Sequence, residues 1–330
     1  MAKELHSALA DRPVLQLPWT RPICRQLAQV QELIHDELYG QAIPDCIRPV
    51  LDHVLASKGK MIRPALVLLS GLACNKITDR HICVAAIMEM LHQATLLHDD
   101  VLDQARTRRG RPATNRLWGD KVAILVGDYI LSHVMASSAG LGSKVSTIIA
   151  EMARRVCTGE LHQVLRRGHW QIDQQEYLQI IRDKSASFFV ACCRLGAELA
   201  GARAVYVNAL EGYGLSLGMV FQINDDLQDL LVGPEDGHDI STGTVTLPII
   251  SLLERTDNPS RRTWLRRLDS GRYRRDLLNK ALKRHGALAY TNQIIQAYLQ
   301  EALAYLTRIQ QTVAKHSLVQ LAYYSARPIA

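Results

Sequence analysis

Apolar positions along this chain recur every three to four residues in long runs, and short polar punctuation separates the runs. That spacing predicts helices near 23–38, 45–57, 61–75, 79–103, 116–140, 143–168, 173–200, 203–232, 245–256, 259–268, 273–286 and 287–316. The breaks fall at Gly40, Pro44, Gly59-Lys60, Gly110-Arg111-Pro112, Gly140-Leu141-Gly142, Gly201 and the stretch Gly233–Gly243. Ahead of the first helix, residues 1–22 hold Pro13, Pro18 and Pro22 and read as an extended arm. No fixed-period repeat and no shift in composition interrupts the chain beyond this arm. Residues 23–330 are therefore expected to form a single all-α domain, one large bundle of mostly antiparallel helices.

Several of these helices are apolar nearly all round, which marks central members of a bundle. In 79–103, Val84, Ala85, Ile87, Met88, Met90, Leu91, Leu97 and Val101 cover most of the circumference. One stripe is polar: Glu89, His92, Asp99 and Asp103, with Leu96 interposed, at helical spacing on one face. Buried carboxylates without a partner are costly. A polar stripe through an apolar helix thus implies a cation, a ligand or a wet cavity.

Composition narrows the classes. The chain has 330 residues, 48% of them hydrophobic, which is ample for a sizeable core. Only 20 glycines, 11 prolines and 5% aromatics argue against a turn-dense β protein. A balance of 39 basic to 32 acidic residues gives a net charge of +7, which suits an anionic partner without naming one. Seven cysteines without a C-x-x-C pair fit reduced thiols in the cytoplasm. The N-terminus lacks the apolar core of a signal peptide, and no uncharged apolar run reaches the ~18 residues of a membrane span. A soluble intracellular protein is expected.

Two segments carry the chemistry. In His98-Asp99-Asp100-Val101-Leu102-Asp103, Asp99 and Asp103 stack one turn apart, while Asp100 is turned about 100° to the side. Asn224-Asp225-Asp226-Leu227-Gln228-Asp229 repeats the geometry with Asp225 and Asp229. One such pair reads as a solvated helix end. Two copies, each ending an apolar helix, point to hard cations, with Mg²⁺ shared with phosphate oxygens. Two basic clusters complement them, Gly59-Lys60-Met61-Ile62-Arg63-Pro64 and Arg108-Arg109-Gly110-Arg111-Pro112. Guanidinium and ammonium groups together suit a polyphosphate.

With these residues in place, the chain resembles a trans-isoprenyl diphosphate synthase of the polyprenyl synthetase family, over roughly residues 45–325. The carriers are G-K-M-I-R-P (59–64), L-H-Q-A-T-L-L-H-D-D-V-L-D (91–103), R-R-G-R-P-A-T-N (108–115), V-G-D-Y (126–129), D-K-S-A-S (183–187), F-Q-I-N-D-D-L-Q-D (221–229) and G-T-V-T-L-P (243–248). The resemblance implies helices around a central cavity and a homodimer. It also implies Mg²⁺, roughly three ions per site, shared with substrate phosphates. Asp99, Asp103 and Asp225 would ligate the metal on an allylic diphosphate, with Asp100, Asp226 and Asp229 supporting. Arg108 and Lys184 would hold that diphosphate, and Lys60, Arg63, His92 and Arg109 would hold isopentenyl diphosphate. The Lys184 carbonyl, Ser185 hydroxyl and Gln222 amide would face the allylic cation.

Product length is set by depth. Thr95 and Ala94, four and five residues before Asp99, lie about 6–7.5 Å deeper by the helical rise and are small, where short-chain members of the family often place an aromatic plug. An unplugged cavity predicts a trans-polyprenyl diphosphate of roughly six to eight isoprene units, about 30–40 carbons. The next possible floor is expected around Ser132, Met135 and Ala136. Two departures from the family pattern stand out, Pro234 and Thr244 where lysines are common, with His238 a possible substitute. His53, His81, His162 and His169 lack metal-ligand spacing. The run Arg261, Arg262, Arg266, Arg267, Arg272, Arg274 and Arg275 reads as a solvated face, with peripheral contact to anionic membrane as its alternative. Few aromatics interleave it, so nucleic acid is not expected. The competing functions are a short-chain farnesyl or geranylgeranyl diphosphate synthase, a weakly active prenyl-diphosphate-binding partner subunit, and a class I terpene cyclase. A second D-D-x-x-D and the isopentenyl-type basic clusters argue against the cyclase.

Overall fold

A computed structural model describes residues 17–40, 43–56, 59–232 and 238–327, with the side chains of Val232, His238 and Asp239 left aside. Sixteen α-helices are assigned among these residues, and the strands are a single two-residue pair. In chain order the helices are α1 (Cys24–Tyr39), α2 (Arg48–Ala56), α3 (Ile62–Cys74), α4 (Asp79–Leu102), α5 (Thr114–Trp118), α6 (Asp120–Gly140), α7 (Ser143–Leu165) and α8 (Gln174–Ile181). They continue as α9 (Ser187–Leu199), α10 (Ala204–Val232), α11 (His238–Ser241), α12 (Leu247–Arg255), α13 (Asn258–Asp269), α14 (Arg275–Arg284), α15 (Ala287–Leu306) and α16 (Val313–Ser325).

The residues group into two compact units. The first comprises the chain through Ala150 with Cys192–Val207 and Ile309–Leu318. At its centre α4 packs on α6, α3 and α1. Helix α4 is apolar nearly all round as expected, and its N-terminus is held by a capping box between Thr78 and His81. The V-G-D-Y motif has a packing reason: Gly127 of α6 lies where the His98 ring of α4 needs room, and His98 Nε2 stands 3.5 Å from Asp128. The second unit comprises Glu151–Ala191, Asn208–Arg308 and Val319–Ala330. There α12 packs against α15, α13, α14 and α8.

Several expectations are corrected. Residues 1–16 lie outside the described residues, but the end of the expected arm is not extended. Pro18–Ile23 form a 3-10 turn with Trp19 buried at 1% exposure, because Pro at the first turn presets φ and the indole enters the core. The helix expected over 116–140 is two, since Gly119 takes φ 85° between α5 and α6. The one expected over 287–316 ends at Leu306, and α16 restarts beyond Thr312, whose hydroxyl accepts from the Lys315 amide at 3.1 Å. The stretch 173–200 is broken by a widened turn at Arg182–Ala186, where the Ser187 amide reaches back to the Arg182 carbonyl.

Candidate active site

The basic clusters of the first unit meet. Thr107–Arg108 and Arg111–Pro112 pair as a two-residue hairpin with Thr107 opposite Pro112 and Arg108 opposite Arg111. Its turn residues Arg109 and Gly110 both take positive φ, 52° and 75°, the pair such a tight turn requires. Glycine adopts this freely, but for Arg109 it costs about 1–2 kcal/mol. Met61, in the other basic motif, is held the same way at φ 51°. Local strain thus sits in both basic motifs, as it does at many functional sites. The strained turn carries the Arg109 guanidinium onto Gly59, where an added Cβ would stand 2.6 Å from a guanidinium nitrogen.

The polar stripe of α4 faces this cluster electrostatically. Glu89 is buried, which raises its carboxyl, while Arg63, a hydrogen bond from Gln93 (3.1 Å) and Arg109 pull it back down. Burial together with Arg63, Arg109 and Arg108 pushes His92 well below the usual imidazole range, so it is a neutral donor or acceptor at neutral pH. Burial also lowers Arg109. Lys60 is exposed beside Gly59, and Arg63 is half-buried on α3.

The two aspartate triplets share a layout. In the first, Asp100 points inward at 3% exposure, and its Oδ1 takes both Nε (2.9 Å) and Nη2 of Arg108. Burial works against the Arg108 charge, but the hydrogen bond and charge of Asp100 outweigh it and raise the guanidinium. Asn115 Nδ2 also donates to the Asp100 carbonyl at 3.1 Å. Asp99 and Asp103 remain partly exposed, Asp103 at the end of α4. In the second triplet, on α10, Asp226 is the buried member and Asp225 is exposed, with Asp229 half-buried. Asn224 anchors this motif by donating to the carbonyls of Ser325 (3.1 Å) and Arg327 (3.3 Å).

Around Asp226 the second unit builds a chain of hydrogen bonds. Tyr177 Oη donates to Asp226 Oδ2 at 2.6 Å, and Gln222 Nε2 donates to Oδ1 at 2.6 Å. Ser185 Oγ donates to Gln222 Oε1 at 2.5 Å. Burial pushes Asp226 up to about 6, against the pull of these two donors. Lys184 lies in the widened turn and pairs with Glu160 at 2.6 Å. The backbone of that turn sits against Gly159, where a side chain would collide with Lys184. The sequence reading missed Tyr177 and Glu160; the only trace of the second is the Gly-Glu pair inside an otherwise ordinary helix.

The depth residues behave differently from one another. Ala94 is fully buried, and Thr95, one turn below Asp99, is half-buried and spends its hydroxyl on the His92 carbonyl at 2.9 Å. The expected floor is corrected: Met135 is 72% exposed, with Ser132 and Ala136 on the same outward side of α6. It is Ala123, Val126, Gly127, Ile130 and Val134 that are buried on that helix. Of the departures from the family pattern, Pro234 and the His238 side chain fall outside the described residues. Thr244 is buried, with its hydroxyl 3.0 Å from that of Thr242.

Among the described residues, no three His, Cys, Asp or Glu side chains converge as a ready-made metal site. What each unit offers is a pair of carboxylates one turn apart with the middle aspartate withdrawn. This donor set fits Mg²⁺, which is bound through one or two carboxylates and completes its shell with water and substrate phosphate. Asp99, Asp103, Asp225 and Asp229 are the residues that would hold it.

A sequence profile of polyprenyl synthetases matches residues 44–284. The chain is 32% identical over 280 residues to the heptaprenyl diphosphate synthase component 2 of Bacillus subtilis, covering 82% of this chain and 80% of that one. It is 30% identical over 284 residues to the octaprenyl diphosphate synthase of Escherichia coli, covering 83% of this chain and 88% of that one. The fold superposes with a TM-score of 0.87 and 29% identity on a polyprenyl synthase from Caulobacter crescentus complexed with calcium and isoprenyl diphosphate, covering 93% of this chain and 96% of the other.

Proposed function

The chain belongs to the polyprenyl synthetase family and is a prenyltransferase, and from that premise we propose that it lengthens an allylic diphosphate with isopentenyl diphosphate to a trans-polyprenyl diphosphate of roughly 30–40 carbons, in keeping with the small Ala94 and Thr95 that stand below Asp99 in place of an aromatic plug. The observation that carries this is the repeated layout of the two triplets, outer carboxylates outward and the middle one locked. Octaprenyl and heptaprenyl synthases among the relatives support the product range.

In this reading Lys60, Arg63, His92 and Arg109 hold the diphosphate of isopentenyl diphosphate. The Arg109 turn and the Gly59 backbone preorganise that cradle. Arg108 and Lys184 hold the allylic diphosphate, each already paired with a carboxylate that orients it. Mg²⁺, when bound, neutralises the diphosphate oxygens and eases departure of pyrophosphate. As the allylic C–O bond breaks, its electron pair leaves with pyrophosphate. The isopentenyl double bond then attacks the cation, and a proton passes from the resulting carbocation to the departed pyrophosphate, restoring a double bond. Ser185 and Gln222, hydrogen-bonded to each other, would present oxygen lone pairs to the cation, beside the Lys184 carbonyl of the widened turn.

A homodimer fits the apolar residues left on the outside of α6, Ile124, Leu125 and Met135. Seven free thiols fit a reducing cytoplasm. One observation favours a second reading: the Bacillus subtilis relative is named as one component of a synthase, so this chain would act as the partner of another protein. Purified protein incubated with farnesyl and isopentenyl diphosphates and Mg²⁺, with products separated by chromatography, decides among these. Turnover without a second protein, abolished by chelation and giving chains beyond twenty carbons, is expected. Activity only on adding another subunit supports the partner reading, and a product stopping at fifteen or twenty carbons removes the long-chain one. Ala94→Phe shortens the product.

A further inference from the structure

The positive charge of this protein is concentrated in one place. Residues 258–285 contain ten Lys or Arg against two acids, Asp269 and Asp276, a net of +8. The whole chain carries +7, so everything outside this segment nets −1. The segment is two short helices, α13 and α14, both packed on α12 through a buried apolar side formed by Trp264, Leu268, Leu278 and Leu282. The basic side chains lie on the other side: Arg262, Arg266, Arg267, Arg272, Lys280 and Arg284 are all exposed.

Helix physics does not account for this cluster. Cations in the last turn complement the helix dipole, which covers Arg266 and Arg267 of α13 and Lys283 and Arg284 of α14. Exposed Arg274, at the N-cap of α14, stands at the end the dipole disfavours, as do the half-buried Arg261 and Arg275. Arg262 and Arg266 are like charges one turn apart, an arrangement that weakens a helix. Asp276 answers Arg274 with hydrogen bonds of 3.0 and 2.8 Å, and the Trp264 ring carries Arg267 at 5.2 Å. The face is therefore maintained against helix stability, which points to an external anion.

We infer that the α13–α14 face is a docking surface for anionic phospholipid membrane. Clustered basic side chains on a short surface-lying element are the chemistry that binds an anionic leaflet. Exposed Leu277 supplies an apolar contact beside the charges. Nucleic acid is the poorer match, because Trp264 is buried and Tyr273 is half-buried, leaving no aromatic platform for bases. The choice of partner rests on the proposed activity, since a polyprenyl product partitions into a bilayer and a surface-bound enzyme delivers it there. The charge cluster stands independently of it.

The test is co-sedimentation of the full chain with vesicles of phosphatidylcholine alone, and with phosphatidylglycerol making up about one-third of the lipid. At low salt, partitioning onto the anionic vesicles is expected to exceed that onto the neutral ones at least tenfold, and to vanish by about 0.5 M salt. Replacing Arg262, Arg266, Arg267 and Arg272 together by Gln lowers it at least tenfold, while replacing the same four by Lys retains it. Equal binding to neutral vesicles, an unaffected Gln variant, no binding at all, or preferential capture by duplex DNA or RNA in competition overturns the inference. Prenyl transfer on soluble substrates is measured in the same preparations. Protein that transfers but ignores vesicles removes the membrane surface and leaves the enzyme intact; protein that binds vesicles but does not transfer removes the enzyme reading alone.

Discussion

The phenolic hydroxyl of Tyr177 donates to Oδ2 of Asp226 at 2.6 Å, on the carboxylate whose acceptor-only oxygens set which way round the Gln222 amide sits. With Oδ2 taken, the remaining oxygen of Asp226 receives the Gln222 amide N–H₂, so Gln222 Oε1 is left to accept from Ser185. The chain of donors runs one way, from Ser185 to Gln222 to Asp226, with Tyr177 closing its far end. The Ser185 and Gln222 oxygens proposed to face an allylic cation are thus tied through Asp226 to Tyr177.

Tyr177→Phe removes that closing bond without changing the ring's packing. Asp226 loses one of the two donors holding its carboxyl down, so its pKa moves further up and its hold on the Gln222 amide slackens. A hydrogen bond to a charged group is worth about 1.5–3 kcal/mol. If that energy is felt in ionisation, kcat falls about tenfold to a hundredfold. The KM for either substrate is expected to move less than roughly threefold, because neither diphosphate cradle includes Tyr177. Steady-state kinetics with each substrate varied separately checks the split. Equal changes in kcat and both KM values, accompanied by a lowered melting temperature, assign Tyr177 to folding alone.

How much of this was legible beforehand depends on the kind of signal. Asp99, Asp103, Asp225 and Asp229 announce themselves by spacing, because an i, i+4 pair on an apolar helix is visible in one dimension. Tyr177 and Asp226 are 49 positions apart, and nothing local marks the tyrosine as polar rather than packed. Glu160 and Lys184 are likewise joined only by tertiary structure, across a turn whose widening the apolar periodicity does not reveal. The helix series was readable, but Gly119 and Thr312 acted as terminators where the apolar period ran on through them. Met135 was misplaced for the same reason: an apolar residue on an apolar helix gives no clue to which side it faces.

Gly59→Ala tests the meeting of the two basic motifs. Its methyl would stand 2.6 Å from the Arg109 guanidinium, and the guanidinium, as the far end of a flexible side chain, is what yields. Little stability is lost, so the melting temperature is expected to stay within about 2 °C. Displacing a guanidinium from a diphosphate forfeits about 1.5–3 kcal/mol of charge-assisted bonding. The KM for isopentenyl diphosphate therefore rises about tenfold to a hundredfold, with the KM for the allylic substrate nearly unchanged. A rise in the allylic KM instead assigns Arg109 to the other cradle.

Glu160→Gln leaves Lys184 with its charge and removes its ion pair with Glu160. Both side chains are mostly buried, at 19% and 14% exposure, so the loss is expected to cost about 1–3 kcal/mol, less than a fully buried pair because solvent still reaches the ammonium. Urea denaturation of the variant should show the midpoint shifted down with the slope unchanged. An allylic diphosphate analogue with Mg²⁺ supplies the missing negative charge if Lys184 is its ligand. The analogue is then expected to raise the variant's midpoint by more than it raises the wild type's. An equal rise in both proteins removes Lys184 from the allylic cradle.

His81 makes stability depend on pH in a direction its hydrogen bonds fix. The Thr78 amide donates to Nδ1 at 3.1 Å, so that nitrogen carries no proton, and Nε2 is left to donate to the Gly196 carbonyl at 3.1 Å. The ring is fully buried and sits where Gly71 has no side chain. Burial lowers its pKa, only partly opposed by the Gly196 bond, and Arg80 lowers it further. The folded state thus takes up a proton less readily than the unfolded state, whose histidine titrates near 6.5. The corresponding stability is present above about pH 6.5 and is lost as pH falls from there towards the depressed folded value, at up to about 1.4 kcal/mol per pH unit. Denaturant midpoints measured from pH 8 down to pH 5 should be flat at first and then fall below about 6.5. His81→Gln keeps an acceptor and a donor on one side chain but cannot be protonated. It is expected to be less stable at pH 8 through imperfect fit, yet to lose less stability than the wild type between about pH 6.5 and 5. If the variant falls as steeply as the wild type over that interval, the pH dependence belongs to other groups.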